Sequence, residues 1–475
     1  MLRFLAVALA MIAARGLAQS RTVDQISTAQ NDDERSHWQI QTGSLIVAYA
    51  VRSPRSPVTW ERRRLVQQVG LDHALLLDDP RDSRWRLISH LDLRLDQEFG
   101  QVCRRNAEGC LRETDVDARR EFQPLVDDSR LDMPAAWVGL RGPLGQVSLG
   151  RVLVVDATGF ARLDGGRAVL RPSRWSSIEA YAGRQTRDTS FASGPGFETQ
   201  GSIRIDLPDS LARERVPWIE EPSPTWMTGG KLAIGAERIV QARLAFREVQ
   251  DRDGLVARRV AVGLTSRPVA ALALRSDIVW DPTDGTVVDA FGEIEVAPIR
   301  PVRLRARVSH HEPRFDLGSI WAWFDLVPVD QGRLSARWKG ERVELGGALA
   351  GRRAVQRERT ERDIGGEGWV SIRRGGWRSS LRGWMWAGDL SPVAAVLLDL
   401  RRVLTVVELY LRASVWHFDQ PFQQELYATS LTSALGVAAQ LTDNTRLRFE
   451  IEWAYNRIVG HRVRGLASVV LKAWR

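Results

Sequence analysis

The sequence contains no apolar run long enough to cross a bilayer as a helix. Such a helix needs about 18 or more predominantly apolar residues. The best candidate, residues 392–416, is interrupted by charged side chains that include Asp399 and Glu408. We therefore do not expect the folded chain to cross a membrane with helices.

The N-terminus does carry one short apolar stretch, and its flanks identify it. Arg3 precedes apolar residues 4–14, and the small residues Gly16 and Ala18 follow at cleavage positions. This pattern is typical of a cleaved secretory signal peptide, so residues 1–18 are excluded from the fold. We expect residues 19–37 to form a flexible periplasmic tail and residues 38–475 to form the folded part.

Cysteine is almost missing. The only two, Cys103 and Cys110, lie close together in one polar stretch. In the oxidising compartment that export implies, the pair predicts a local disulfide that pins a loop. A metal site would require further ligands nearby, and none stands out. No metal and no cofactor are predicted.

Histidine is scarce as well, with 7 in 475 residues. A hydrolytic site needs a nucleophile beside a poised base, and none of the histidines has such a setting. His310 and His311 are adjacent, so on a strand they would point to opposite faces. The sequence predicts no catalytic site and no enzyme.

What the sequence has in abundance is strict alternation of apolar and charged residues. Between 444 and 457 one parity is apolar and the other carries Arg446 and Arg448; between 302 and 308 the polar parity is Arg303, Arg305 and Arg307. Alternation places the two sets on opposite faces of a strand. Many runs reach roughly 10–12 residues, the length of a tilted membrane-crossing strand.

Export and alternation together predict an all-β fold in the bacterial outer membrane. Only a closed barrel satisfies the backbone of strands in lipid. The prediction is a transmembrane antiparallel β-barrel of about 18 strands, in the range 16–20, with long outer loops and short periplasmic turns. More runs than this can be found one by one, and we expect some adjacent runs to merge and others not to form strands.

Charge and aromatic content refine this expectation. The net charge is +9, and arginines are spread along the strands instead of forming a tail, so nucleic acid is not an expected partner. A basic lumen and contact with outer-membrane lipid are expected instead. The 18 tryptophans outnumber the 5 tyrosines. Those near predicted strand ends, Trp384, Trp386 and Trp416 among them, are expected in aromatic girdles, except for about a third of them, which are expected in the core or in loops.

One hairpin resembles a known family. In residues 136–151 a strand ending in Gly139-Leu140 meets a small-residue turn, and the next strand ends in Leu149-Gly150-Arg151. This resembles the signature hairpin of Gram-negative general porins, from which the chain diverges by its C-terminal Trp474-Arg475. The resemblance implies a homotrimer.

The resemblance also implies a loop that folds into the barrel directly after Arg151, at about 155–173, and narrows the channel. The expected constriction residues on and beside this loop carry both signs of charge: Arg151, Asp156, Arg162, Asp164 and Arg167.

The sequence thus predicts a water-filled channel for passive diffusion of small hydrophilic solutes, preferentially anions. Its expected lining is basic and consists of Arg303, Arg305, Arg307, Arg446 and Arg448. An alternative is that these arginines pair with carboxylates on neighbouring strands and only hold the wall. An alternative function is a barrel component of polysaccharide export or of a trans-envelope machine. Three placements of the aromatic segment 314–324 are left open: folded into the lumen, packed on a partner protein, or at a hairpin tip on the membrane surface.

Overall fold

The fold consists of β-strands and tight turns in the computed structural model. The structure describes residues 36–52, 58–77, 85–98, 102–106, 109–112, 129–186, 225–236, 239–252, 254–312, 327–356, 359–390, 392–418, 428–456 and 460–474. Within these ranges no helix is long enough and apolar enough to span a membrane.

The strands follow one another along the chain with few interruptions. They are β1 (Ser36–Arg52), β2 (Val58–Leu76), β3 (Arg86–Glu98), β4 (Val102–Asn106), β5 (Gly109–Arg112), β6 (Ser129–Gly142), β7 (Gly145–Asp156), β8 (Gly159–Ser173), β9 (Ser176–Gln185), β10 (Trp226–Ala236), β11 (Val240–Asp251), β12 (Gly254–Val269), β13 (Leu272–Asp281), β14 (Thr286–Ile299), β15 (Val302–His311), β16 (Val329–Lys339), β17 (Val343–Gln356), β18 (Arg359–Arg374), β19 (Trp377–Gly388), β20 (Val393–Val403), β21 (Val407–Phe418), β22 (Ala428–Thr442), β23 (Thr445–Asn456) and β24 (Gly460–Trp474).

These strands close into an antiparallel barrel. Each wall strand pairs with its neighbours along the chain, and β1 pairs with both β2 and β24, which closes the ring. The short strands β4 and β5 form a hairpin that pairs with the start of β2 beyond the end of β3. The described residues therefore supply 22 wall strands. The prediction of about 18 strands is wrong, because turns as short as two residues separate runs that we expected to merge.

The two ends of the barrel differ. At the end that holds Ser36 and Trp474, most connections are short: only 143–144 separate β6 from β7, and only 300–301 separate β14 from β15. We call this the turn end. At the opposite end, the loop end, β9 stops at Gln185 and β10 begins at Trp226. That the turn end faces the periplasm stays a prediction.

Alternation gives the barrel two chemically different faces. The outer face carries exposed aliphatic side chains, among them Leu349 and Ile364, each 70% exposed, and Val308, 66% exposed. The inner face carries most of the ion pairs of the wall strands. The strand predicted at 444–457 is confirmed as β23, and the opposition of its apolar and charged residues is preserved.

Some sequence-based predictions fall outside the described residues. The aromatic segment 314–324 and nearly all of the tail at 19–37 lie there. The backbone of the β4–β5 hairpin places Cys103 opposite Arg112 and Cys110 opposite Arg105, but the cysteine side chains are outside the described part. The disulfide stays a prediction.

Candidate functional site: the barrel lumen

The arginines of β15 form a ladder on the inner face. Arg303 and Arg305 both donate to the Glu295 carboxylate of β14, at 3.2 and 2.5 Å. Arg305 also lies 3.7 Å from Glu293, and the Arg307 guanidinium lies 4.7 Å from the centre of the Phe291 ring.

The ladder is paired and exposed at the same time. The Arg303 and Arg305 side chains remain 57% and 45% exposed, although the glutamates they contact are largely covered. Each arginine thus offers one side of its guanidinium to a carboxylate and the other to the lumen. The ion pairs with carboxylates on the neighbouring strand are present, whereas a role of these arginines in lining a channel stays a prediction.

A second basic cluster lies on β21 and β23. Arg448 donates to the Tyr410 hydroxyl and to the Glu450 carboxylate, both at 2.7 Å, and Tyr410 donates to Glu450 at 2.8 Å. Arg412 also pairs with Glu450, whose side chain is 2% exposed. Arg446, 55% exposed, lies only 3.7 Å from Glu408. Of the two predicted lining arginines on β23, Arg446 therefore has the longer ion-pair distance, 3.7 Å against 2.7 Å for Arg448.

The β7–β8 hairpin leaves the wall and folds into the lumen. Its tip contacts strands that are not its neighbours: the Arg247 guanidinium of β11 donates to the Gly159 carbonyl at 2.9 Å, and Arg259 of β12 donates to the Thr158 carbonyl at 3.4 Å. Strands β9 and β10 lie between β8 and β11 in the wall. The hairpin therefore crosses the inner faces of these strands. We call residues 152–163 the inner hairpin.

Apolar packing holds the inner hairpin against the wall. Four side chains on its underside, Val152, Val154, Ala161 and Leu163, pack with inner-face residues of β9, β10 and β11, namely Tyr181, Met227 and Val249. Farther along the wall, Ala157 at the tip packs against a second apolar cluster: Ala245, Ala261, Val279 and Val288. Val154 and Leu163 are fully buried. These contacts cover the loop-end part of the inner surface from β9 to β14 with protein.

A buried ion pair fixes the tip. Asp156 and Arg247 pair at 3.1 Å with side chains 1% and 6% exposed. The Asp156 carboxylate also accepts hydrogen bonds from the Tyr181 hydroxyl at 2.9 Å and from the Thr158 backbone N–H at 2.8 Å. Because a buried charge is costly unless it is paired and hydrogen-bonded, this arrangement selects one docked position of the hairpin.

The other expected constriction residues occupy different places. Arg151 and Asp164 form a two-pronged pair, at 2.7 and 2.8 Å, at the base of the inner hairpin. Arg162 lies on the hairpin face opposite its buried underside, within electrostatic range of Asp92 on β3. Arg167 lies below the hairpin on the wall, where it donates to Glu179 at 2.8 Å.

The expected in-folded loop therefore exists in part and needs correction. The chain does turn inward directly after Arg151, but as a paired β-hairpin whose turn is at 157–158. Residues 164–173 belong to the wall as the lower part of β8, because they pair with β9 over most of their length. The predicted boundary at 173 was wrong since sequence alternation alone does not show where the hairpin rejoins the wall. The role of these residues in constriction stays a prediction.

Tryptophans on the inner face were missed. Trp384 and Trp416 meet edge to face with ring centres 4.8 Å apart, and the Arg382 guanidinium lies 5.7 Å from the Trp384 ring. Trp386 lies 4.5 Å from the Arg352 guanidinium. The expectation that Trp384, Trp386 and Trp416 belong to outer girdles is wrong. The signal was present in the sequence, because Trp384 and Trp386 share the parity of Arg382 and oppose Leu381 and Met385.

The comparisons with known proteins concern overall shape. No protein-family model matches the sequence, and no curated protein matches it. The chain is similar to the Pseudomonas aeruginosa outer membrane protein OpdK, with 8% identity, 93% of this chain and 99% of that chain covered, and a TM-score of 0.43. It is also similar to OccK9 (OpdG) of the same organism, with 11% identity, 94% and 100% covered and a TM-score of 0.46.

A third solved structure, OccAB4 of Acinetobacter baumannii, has 8% identity, 94% and 100% coverage and a TM-score of 0.44. All three similarities are to the shape of the barrel. They say nothing of what this barrel binds or carries.

Proposed function

We propose that the chain is a bacterial outer-membrane porin that passes small hydrophilic solutes, preferentially anions. The placement in a membrane is supported by the continuous apolar outer face of a closed barrel. In lipid, a closed ring of strands satisfies every backbone hydrogen bond without an exposed edge. In a soluble barrel the outer face would contact water, and polar side chains would be expected at the positions of Leu349 and Ile364.

The observation that carries the channel function is the uneven cover of the inner face. A barrel of 22 strands is wide enough to hold a plug. Here the inner hairpin is seated on the loop-end part of β9 to β14, while Arg303, Arg382 and Arg446 on the rest of the wall are 57%, 55% and 55% exposed. The exposed arginines mark the open side of the lumen, with the inner hairpin as the opposite wall of the passage.

The anion preference follows from the residues that line this open side. Carboxylates such as Glu450 and Glu293 are buried beneath arginines, so a passing solute meets guanidinium groups first. A low-dielectric wall focuses the field of these charges into the passage.

The test is a single-channel recording of the purified barrel in a planar bilayer under a salt gradient. A steady open conductance, with a reversal potential of the sign for anion selectivity, is the expected result. A barrel without conductance at any voltage would refute the channel. A conducting barrel with a cation-directed potential would refute the anion preference alone.

A second candidate is a barrel that passes an acidic polysaccharide, and the inner tryptophans favour it. The Trp384–Trp416 pair beside Arg382 combines flat faces on which sugar rings stack with a cation for their carboxylates. The same single-channel recording distinguishes the two functions when long acidic oligosaccharides are added. In an export barrel they would block the current for extended times, whereas in a diffusion channel each block would be brief.

A further inference from the structure

A groove runs down the outer face of the barrel across β13 to β18. Three contiguous cavities of about 1190, 800 and 620 Å³ share residues along it: Gly332 and Gly351 line the first two, and Leu334 and Leu349 line the second and third. Its floor is made by small residues that stand side by side in the strand register. Gly332 pairs with Gly351, and Ser276 pairs with Gly292.

A row of polar and charged side chains closes the loop end of this groove. In the register, His310 stands opposite Asp330, Asp330 opposite Arg353, and Arg353 opposite Arg362. Asp330 accepts from His310 at 2.8 Å and from Arg353 at 2.9 Å. The Arg353 side chain remains 62% exposed, and Arg362 is exposed beside it. Within this row, one carboxylate faces two arginines whose side chains are both exposed.

The length of the groove matches one leaflet of a membrane. From the charged row to the row of Ala336 and Gly347 there are three steps of two residues on each strand, or about 20 Å at roughly 3.3 Å per residue. A strand tilt of about 40° reduces this to a depth of about 15 Å. This is half of the roughly 30 Å hydrocarbon thickness. A chain lying in the groove from its charged end would reach the bilayer midplane.

We propose that this outer groove binds a phosphorylated glycolipid of the outer leaflet. Its phosphate contacts Arg353 and Arg362, and an acyl chain lies over Gly332 and Gly351. Guanidinium groups bind phosphate through two parallel hydrogen bonds, and the groove below them is lined mainly by glycine and aliphatic side chains. The inference rests on the proposed membrane placement, with the loop end outside, and is independent of conduction.

The test is native mass spectrometry of the full-length barrel after incubation with hexa-acylated lipid A, and in parallel with phosphatidylglycerol. One variant removes the charge, Arg353→Ala with Arg362→Ala. Another fills the floor, Gly332→Leu; an added Cβ there meets nothing within 4 Å, so the barrel should tolerate it. The matched controls are Arg258→Ala, an arginine near the loop end on β12, and Gly465→Leu, whose surroundings are equally open.

The expected result is one lipid A retained by the unaltered barrel and by both controls. Both groove variants should retain it at least about tenfold less well, because two charge-assisted hydrogen bonds or the acyl seat are lost. If the groove variants retained lipid A as well as the unaltered barrel does, the proposed site would be refuted. If the unaltered barrel retained phosphatidylglycerol as well as lipid A, the assignment of the ligand as a glycolipid would be refuted. The unaltered barrel could also be a dimer or trimer that Gly332→Leu converts to a monomer. In that case the groove would be a subunit interface, and the proposal would be refuted.

Conductance of the same variants separates this inference from the proposed function. Outer-face substitutions leave the lumen untouched, so their current should equal that of the unaltered barrel. A barrel that retains lipid A but never conducts would refute the channel and leave the lipid site standing.

Discussion

Removing the Arg247 guanidinium should release the inner hairpin. In the variant Arg247→Ala, the Asp156 carboxylate loses its counter-charge at a position where its side chain is 1% exposed. Breaking a buried ion pair on one side costs about 3–5 kcal/mol. The low end applies here, because Tyr181 and Thr158 still donate hydrogen bonds to the carboxylate. A cost of about 3 kcal/mol shifts the docking equilibrium by roughly two orders of magnitude.

Single-channel recording measures this release. The unaltered barrel should show one steady conductance level, whereas Arg247→Ala should show larger and fluctuating levels as the hairpin leaves β9 to β14. The control is Arg243→Ala on the same strand, because its pair with Asp277 is 36% and 18% exposed and such pairs contribute at most about 1 kcal/mol. Heat-modifiable mobility in gels confirms that each barrel is closed.

The double variant Arg247→Ala with Asp156→Asn tests the cause. It removes the unpaired carboxylate charge at position 156, and asparagine has nearly the same volume as aspartate. The single steady conductance level of the unaltered barrel should therefore return in large part. The reasoning is refuted if Arg247→Ala conducts as Arg243→Ala does, or if the double variant fluctuates as much as the single one. The apolar underside of the hairpin would then be sufficient for docking.

Three further predictions concern the wall. Exchanging Arg303 and Arg305 for glutamate should move the reversal potential toward cations, because both are about half exposed to the lumen; an unchanged potential would place the selectivity elsewhere. Leu349→Arg on the outer face should destabilise the barrel by about 2–4 kcal/mol, seen as a lower denaturation midpoint, whereas the inner-face control Thr432→Arg should not. Gly150→Val should reduce folded yield, because φ is +127° and an added Cβ would lie 2.3 Å from a carbonyl oxygen; normal yield would refute this.

The wall strands could be predicted because each one repeats the same local rule. Alternation located β23 and β15 within a few residues, since the side-chain period of a strand needs no knowledge of the partner strand. The strand total could not be predicted in the same way, because a two-residue turn such as 300–301 interrupts the pattern very little. The inner tryptophans were missed for a related reason, as nearness to a strand end was given more weight than parity.

The inner hairpin depends on contacts between distant parts of the chain. Asp156 and Arg247 are 91 residues apart, and nothing local to either residue identifies the other. The porin-like hairpin did place the inward turn directly after Arg151. It did not identify the wall strands on which the segment packs, because that depends on complementary apolar patches.

The complementary apolar patches are nevertheless visible in the sequence as departures from the alternation. At 152–155 the alternation of β7 fails and four apolar residues follow one another, which a wall strand between lipid and water would not show. On β9 to β14 the inner-face parity, elsewhere rich in charge, carries Tyr181, Met227, Val249 and Val279. An apolar residue on the inner parity is stable only if protein covers it. The two irregularities therefore explain each other: the doubly apolar segment of β7 covers the apolar part of the inner wall.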